Sequence, residues 1–333
     1  MDFISGEKFQ IMCDHFLGTL EHLNYNPNMI NYKEKWLDIL TLNNEFNNKS
    51  LIFCYSDLTM DSNIDLIDKL KLFMNPFFLV LHNSDVSFDE KWLNEALNIK
   101  NLVKIYTENM NVLHDNVIPI PIGIANSMWP HGNITIWSNV LEKYESEHIT
   151  KYNMYKDKFF YFCFNVNTNE TKRIECRDKI IDKGLDFFEP VEFNTYCYDL
   201  PRYRYAICPD GNGIDTHRLW ECLYLKVVPV CKRSILVEYF SEYFPIIILN
   251  DWSELNVNNL INNYDKYNVW HNYEKLNFNY YYNMIMTDII KSYSHYDYQE
   301  ENFIQNFIGF LIRDGFFIEL GANNDLIPSN SVF

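Results

Sequence analysis

Residues Tyr205 to Val230 read Tyr-Ala-Ile-Cys-Pro-Asp-Gly-Asn-Gly-Ile-Asp-Thr-His-Arg-Leu-Trp-Glu-Cys-Leu-Tyr-Leu-Lys-Val-Val-Pro-Val. The run Tyr205 to Cys208 is apolar and β-favouring, and Pro209, which has no N–H to give a ladder, ends it. In the loop Asp210-Gly211-Asn212-Gly213, the two glycines are expected to take positive φ and bring backbone close to a ligand. Asp215 or Thr216 is expected to cap a helix whose Leu219, Trp220, Cys222 and Leu223 form the apolar face. A second apolar strand closes the stretch, so it reads as about one βαβ unit of a parallel sheet.

Arg218 and Glu221 lie three residues apart on the opposite face of that helix, Arg218 in the first turn and Glu221 one turn deeper. A helix N-terminus beside an arginine suits a diphosphate, and a carboxylate one turn further in suits the two hydroxyls of a ribose. The competing reading is an ordinary solvated ion pair.

The whole string closely resembles the donor-sugar motif of the exostosin-like glycosyltransferases, in which strand, Pro, Gly, Arg, Glu and a terminal Pro-Val recur in this order. Lys226 stands where such families place Gly, at the helix C′ position, so the helix is expected to end differently here. Phe159 to Asn165, followed by Thr168-Asn169-Glu170-Thr171-Lys172-Arg173, resembles the opening of the same family's donor domain. The resemblance therefore implies donor contacts from Asn165, Arg173, Asp210, Gly211, Asn212, Gly213, Asp215, Arg218 and Glu221, with Arg177 as a weaker second cation. Pro245 to Leu255 resembles a further strand and helix of that domain and reads as scaffold.

The N-terminal half alternates strands and helices as well. Strands are expected at Ser50 to Tyr55, Pro76 to Leu81, Leu102 to Tyr106 and Val117 to Ile124, and helices at Asp65 to Phe73 and Glu90 to Ala96. Polar residues follow each strand, at the edge where ligands of parallel sheets bind. The fold class expected is α/β, in the GT-B arrangement that the resemblance implies: two Rossmann-like, doubly wound parallel-sheet domains facing a cleft. Residues 1–150 form the acceptor domain, 151–270 the donor domain, and 271–312 a helical segment crossing back.

Residues 313–333 resemble the opening of FkbM-like methyltransferases, with Asp314-Gly-Phe-Phe-Ile-Glu-Leu-Gly-Ala-Asn-Asn-Asp325 standing where a strand and a glycine turn cradle S-adenosylmethionine. Leu326 replaces that pattern's final Gly, and the pattern stops about one strand in. The favoured expectation is a methyltransferase domain linked in a longer parent protein, as in fusions of large DNA viruses; the alternative is a local coincidence.

At 333 residues, two domains are expected. A hydrophobic share of 47% provides ample core. With 28 basic against 45 acidic residues, net −17, nucleic acid and anionic lipid are unlikely partners, since both would be repelled. The 8 cysteines show no CxxC and no zinc spacing, so they read as reduced core residues. No run reaches the ~18 apolar residues of a membrane span, and the N-terminus lacks a signal pattern, so a cytoplasmic location is expected.

Inverting sugar transfer needs a base for the acceptor hydroxyl, while the nucleotide diphosphate leaves from the opposite face. Asp85 is the first candidate and Glu108 the second, with Asp57 as a further rival and Asp85 alternatively a helix cap. His82, His114 and His131 also follow strands, and His131 falls on what would be the acceptor side. No Asp-x-Asp pair occurs, so no metal and no cofactor are expected, with Arg218 meeting the leaving-group charge.

The activity expected is transfer from a nucleotide-sugar donor, UDP-linked, to a glycan hydroxyl. The alternatives are a non-catalytic glycan- or nucleotide-binding module serving a downstream sugar methyltransferase, and an S-adenosylmethionine methyltransferase.

Overall fold

The structure, a computed structural model, describes residues 2–47, 50–61, 64–150 and 156–296, with backbone alone at 144–150 and 293–296. The tail with the methyltransferase-like pattern lies outside the described residues, as does 297–312 of the expected crossing segment.

The chain builds two parallel sheets. The first comprises β1 (His15–Gly18), β2 (Trp36–Asp38), β3 (Ser50–Tyr55), β4 (Phe77–His82), β5 (Leu102–Thr107) and β6 (Val117–Pro119), in the order β2-β1-β3-β4-β5-β6. Every residue of β3 and β4 is buried, as the central strands of a sheet covered on both faces require. Strand order reverses between β1 and β3, as in doubly wound sheets.

The second sheet holds β7 (Lys158–Tyr161), β8 (Tyr203–Ile207), β9 (Val228–Lys232) and β10 (Ile247–Leu249) in strictly sequential order, all parallel. Its alternation divides two helix layers. Tyr205, Ile207, Val228 and Val230 pack with Cys176 and Ile180 of the helix Glu170–Ile181 and with Trp252, Leu255 and Leu260. On the other face Cys208 meets Cys222 of the helix His217–Tyr224, their sulfurs 3.9 Å apart, while Trp220 packs edge-on against Phe240. All eight cysteines are buried free thiols.

Both sheets belong to one compact unit, Met1–Met286. The segment just after β6 forms much of the seam between them. Pro119 and Pro121 lack ladder donors, so the strand expected to run to Ile124 stops at Pro119. The residues beyond it bond outward: Ile124 N–H donates to Ile4 O at 2.9 Å, and Ile122 N–H donates to Asp215 at 2.7 Å. Gly123 has φ 69°, and a Cβ there would stand 2.2 Å from Ile4 O, so no larger residue fits.

The helix His217–Tyr224 is tied to the first half at both ends. His217 bonds Gly123 O, and Tyr224 Oη accepts the Ile4 N–H at 2.9 Å. Residues 275–281 touch both halves: Lys275 lies over the Tyr243 ring, while Phe278 and Tyr281 pack against Phe9.

Candidate functional site

Two adjoining pockets at the C-terminal edges of the sheets hold most of the candidate residues. The first to be built from the sequence motif is an arginine pocket of about 390 Å³, within the roughly 300–1,000 Å³ range of small-molecule sites. It lies beyond β7 and β8, and Asn165, Arg173, Arg218 and Glu221 line it with the rings of Tyr161, Tyr196 and His131. Helical spacing brings Arg218 and Glu221 to one face, with Arg218 Nε 3.8 Å from Glu221 Oε2. Arg218 donates to Cys163 O at 2.9 Å, and its guanidinium lies between Tyr161 and Tyr196, 5.1 and 4.7 Å from the ring centroids. Tyr196 in turn donates its hydroxyl to Glu221 Oε2. This clamp leaves Arg218 Nε buried without a hydrogen-bond partner. Arg173 donates to Asp210 O and Asn165 O at 2.9 and 2.7 Å, and burial followed by the Arg218 charge lowers its pKa. Two guanidinium groups thus meet at one cavity, an arrangement able to hold an anion.

The glycine loop flanks Arg173 through Asp210 and Gly211 and meets the first half through Asn212 and Gly213. Neither Gly211 nor Gly213 takes positive φ, contrary to the expectation from the sequence. Gly213 is required by close approach: a Cβ would stand 2.6 Å from Asn109 Oδ1 across the seam. Gly211 would meet only ordinary contacts at 3.6 Å, and its carbonyl accepts from Asn169 Nδ2 at 2.7 Å. Asn212 Nδ2 donates to Asp85, Asp210 pairs with Lys172, and Arg177 pairs with its neighbour Asp178 outside the cavity. Asp215 holds the seam: its carboxylate accepts from Ile122 N and Trp220 Nε1, and its own N–H donates to Asn109 Oδ1 at 2.7 Å. Neither Asp215 nor Thr216 caps the helix through its side chain. Lys226 does adopt the left-handed conformation, φ 55°, and the helix still closes with the paired bonds Val227 N to Cys222 O and Lys226 N to Leu223 O. The substitution for glycine thus leaves the helix end unchanged.

The second pocket, about 170 Å³, gathers Asn83, Ser84 and Asp85 beyond β4, Glu108 beyond β5, Asn26, Tyr55, Asn126 and Trp129 from the first half, and His217 from the second. Asp85 is exposed and accepts from Asn212 Nδ2 at 3.2 Å. It does not cap the following helix, whose cap is Asp89. Glu108 is 0% exposed. Its Oε1 accepts the Ser84 N–H at 2.8 Å, while Oε2 sits 3.1 Å from His82 Nδ1, close enough for an ion pair but not aligned as a hydrogen bond. Burial, reinforced by Asp215 and Asp85, pushes the Glu108 carboxyl well above the usual range and outweighs the Ser84 bond. Burial likewise pushes His82 down to about 4. Glu108 and His82 are thus a buried couple in the lining of this pocket. Asn83 and Asn109, at φ 62° and 50°, hold left-handed turns at the ends of β4 and β5.

Of the other rivals, Asp57 pairs with His22 and His114 accepts a turn N–H, and neither lines either of these two pockets. His131 lines the arginine pocket, stacks on Trp129 at 6.0 Å and meets the His217 ring edge-on at 6.2 Å. The pockets thus adjoin at a pair of imidazoles. His217, Tyr196 and Trp129 escaped the sequence reading. For His217 the signal was present, since positions 217, 218 and 221 share one helical face.

Among the described residues, no group of three or more His, Cys, Asp or Glu side chains is arranged to hold a metal ion, and no helix is long and apolar enough to cross a membrane. The fold and sites define an α/β protein with two Rossmann-like parallel sheets. No protein-family model matches the chain, and no curated protein matches it.

Proposed function

We propose that the protein is a glycosyltransferase of the GT-B type, moving a sugar from a nucleotide-sugar donor, UDP-linked, to a glycan hydroxyl with inversion and without a metal. The observation that carries this reading is the convergence of Arg218, Arg173 and Glu221 on one cavity at a sheet's C-terminal edge. The guanidinium groups offer charge to a diphosphate, and Glu221 offers an acceptor to ribose hydroxyls. The adjoining pocket has no Lys or Arg in its lining, which combines amide, imidazole and aromatic groups with the carboxyls of Asp85 and Glu108, hydrogen-bonding groups suited to a polyol. A donor in one pocket and an acceptor hydroxyl in the other would meet beside His131 and His217. As the sugar–phosphate bond breaks, the diphosphate's growing charge falls to Arg218 and Arg173.

Calorimetric titration with UDP, GDP and CMP, each with and without EDTA, tests the reading. EDTA-insensitive binding of UDP that Arg218→Met abolishes is the expected result. Absence of binding by every nucleotide would sink it.

A further inference from the structure

We propose that His217 is the general base that takes the acceptor's proton, an inference that rests on the transferase reading above. Its Nδ1 lies 2.8 Å from Gly123 O. A carbonyl can only accept, so Nδ1 carries the proton, and in the neutral ring Nε2 is left with a lone pair. Nε2 has no hydrogen-bond partner among the described residues, and the side chain lines the polyol pocket. The orienting bond comes from Gly123, whose backbone no other residue can adopt without meeting Ile4. Imidazole orientation is thereby set by the seam, and the ring stands on the same helix face as Arg218 and Glu221.

The carboxylates of the same pocket are less suited. Glu108 is 0% exposed with its Oε1 held by the Ser84 N–H, and Asp85 is exposed and engaged by Asn212. In the transfer, the acceptor O–H gives its proton to His217 Nε2 as its oxygen bonds the anomeric carbon. The bond from that carbon to the phosphate oxygen breaks, and its electron pair leaves on the nucleoside diphosphate. The titratable groups that face the ring or share its pocket are His131, His82, Asp85 and Glu108, while Arg218 and Glu221 of its own helix line the adjoining pocket.

The test compares the wild-type chain with His217→Asn and Asp85→Asn. The Asn side chain retains an N–H for Gly123 O but offers no base. UDP affinity is measured by calorimetry, and UDP release from UDP-glucose, UDP-galactose and UDP-xylose is measured with methyl glycosides or water as acceptor, across pH 5 to 9. Expected for His217→Asn are UDP affinity within about twofold of wild type, a kcat lower by about 10²–10⁴-fold, and loss of the limb on which wild-type activity rises with pH. Turnover within about threefold of wild type, or a retained limb, overturns the proposal. So does loss of activity in Asp85→Asn alone, which would assign the base to Asp85. If wild type binds no nucleotide, or binds UDP without releasing it from any conjugate, the transferase reading itself fails.

Discussion

The Asp215 carboxylate accepts the Ile122 amide N–H at 2.7 Å, so the loop before the Arg218 helix grips the backbone that follows β6. With Trp220 Nε1 on its second oxygen, this buried group ties helix, loop and seam together.

Burial pushes Asp215 from its ordinary 3.8 up to about 7, outweighing the N–H groups it accepts. Below pH 3.8 both folded and unfolded chains hold the proton, and the contribution is fully present. Between 3.8 and about 7 the unfolded chain ionises first, so stability falls as pH rises, and above about 7 the loss is complete. Urea melts at pH 4 to 8 should show this decline, and Asp215→Asn should flatten part of it. Asp215→Ala leaves two buried N–H donors unpaired and should cost about 2–4 kcal/mol.

Gly213→Ala should destabilise by about 1–3 kcal/mol, because its Cβ would collide with Asn109 Oδ1 and displace the Asn109 bond to Asp215. Gly211→Ala, with only ordinary contacts and no positive φ, should shift the urea midpoint little and leave nucleotide affinity unchanged. Loss of nucleotide binding in Gly211→Ala would instead return the loop to the donor site.

Arg218→Lys retains charge but loses the planar fork between Tyr161 and Tyr196. UDP should bind about 10–100-fold more weakly by calorimetry, with the fold intact by circular dichroism. Tyr196→Phe removes the Glu221 bond and should weaken uridine more than it weakens pyrophosphate.

Lys226→Gly relieves a left-handed non-glycine residue at a helix end and should stabilise by about 1 kcal/mol, read as a higher urea midpoint at constant m. The cost on the other side is the Lys226 contact with the Tyr273 ring, 5.2 Å away.

The elements with strong local signals were legible. The helix Glu90–Ala96 falls where it is expected, behind the Asp89 cap, β3 and β4 follow from apolar runs, and β8 begins two residues before the apolar run at Tyr205, with Arg204 inside it. β1 and β2 were not, being four and three residues long, too short for a period to register. Arg173, Arg218 and Glu221 emerged as a set because a resemblance and a helical spacing agreed. Asp85 and Glu108 do share a pocket, yet residue type alone could not distinguish an exposed carboxylate from a sealed one.

By itself the sequence determined the order of strand, loop and helix around Arg218, since propensity, proline stops and the helical period act within a few residues. The tertiary structure decided which way the glycine loop faces, which tyrosines enclose Arg218, and which nitrogen of His217 carries the proton. Those depend on Asn109, Tyr196 and Gly123, partners that lie 106, 25 and 94 residues from the groups they bond. Only tertiary packing, across the seam for Asn109 and Gly123 and within the second half for Tyr196, brings such distant groups within hydrogen-bond reach.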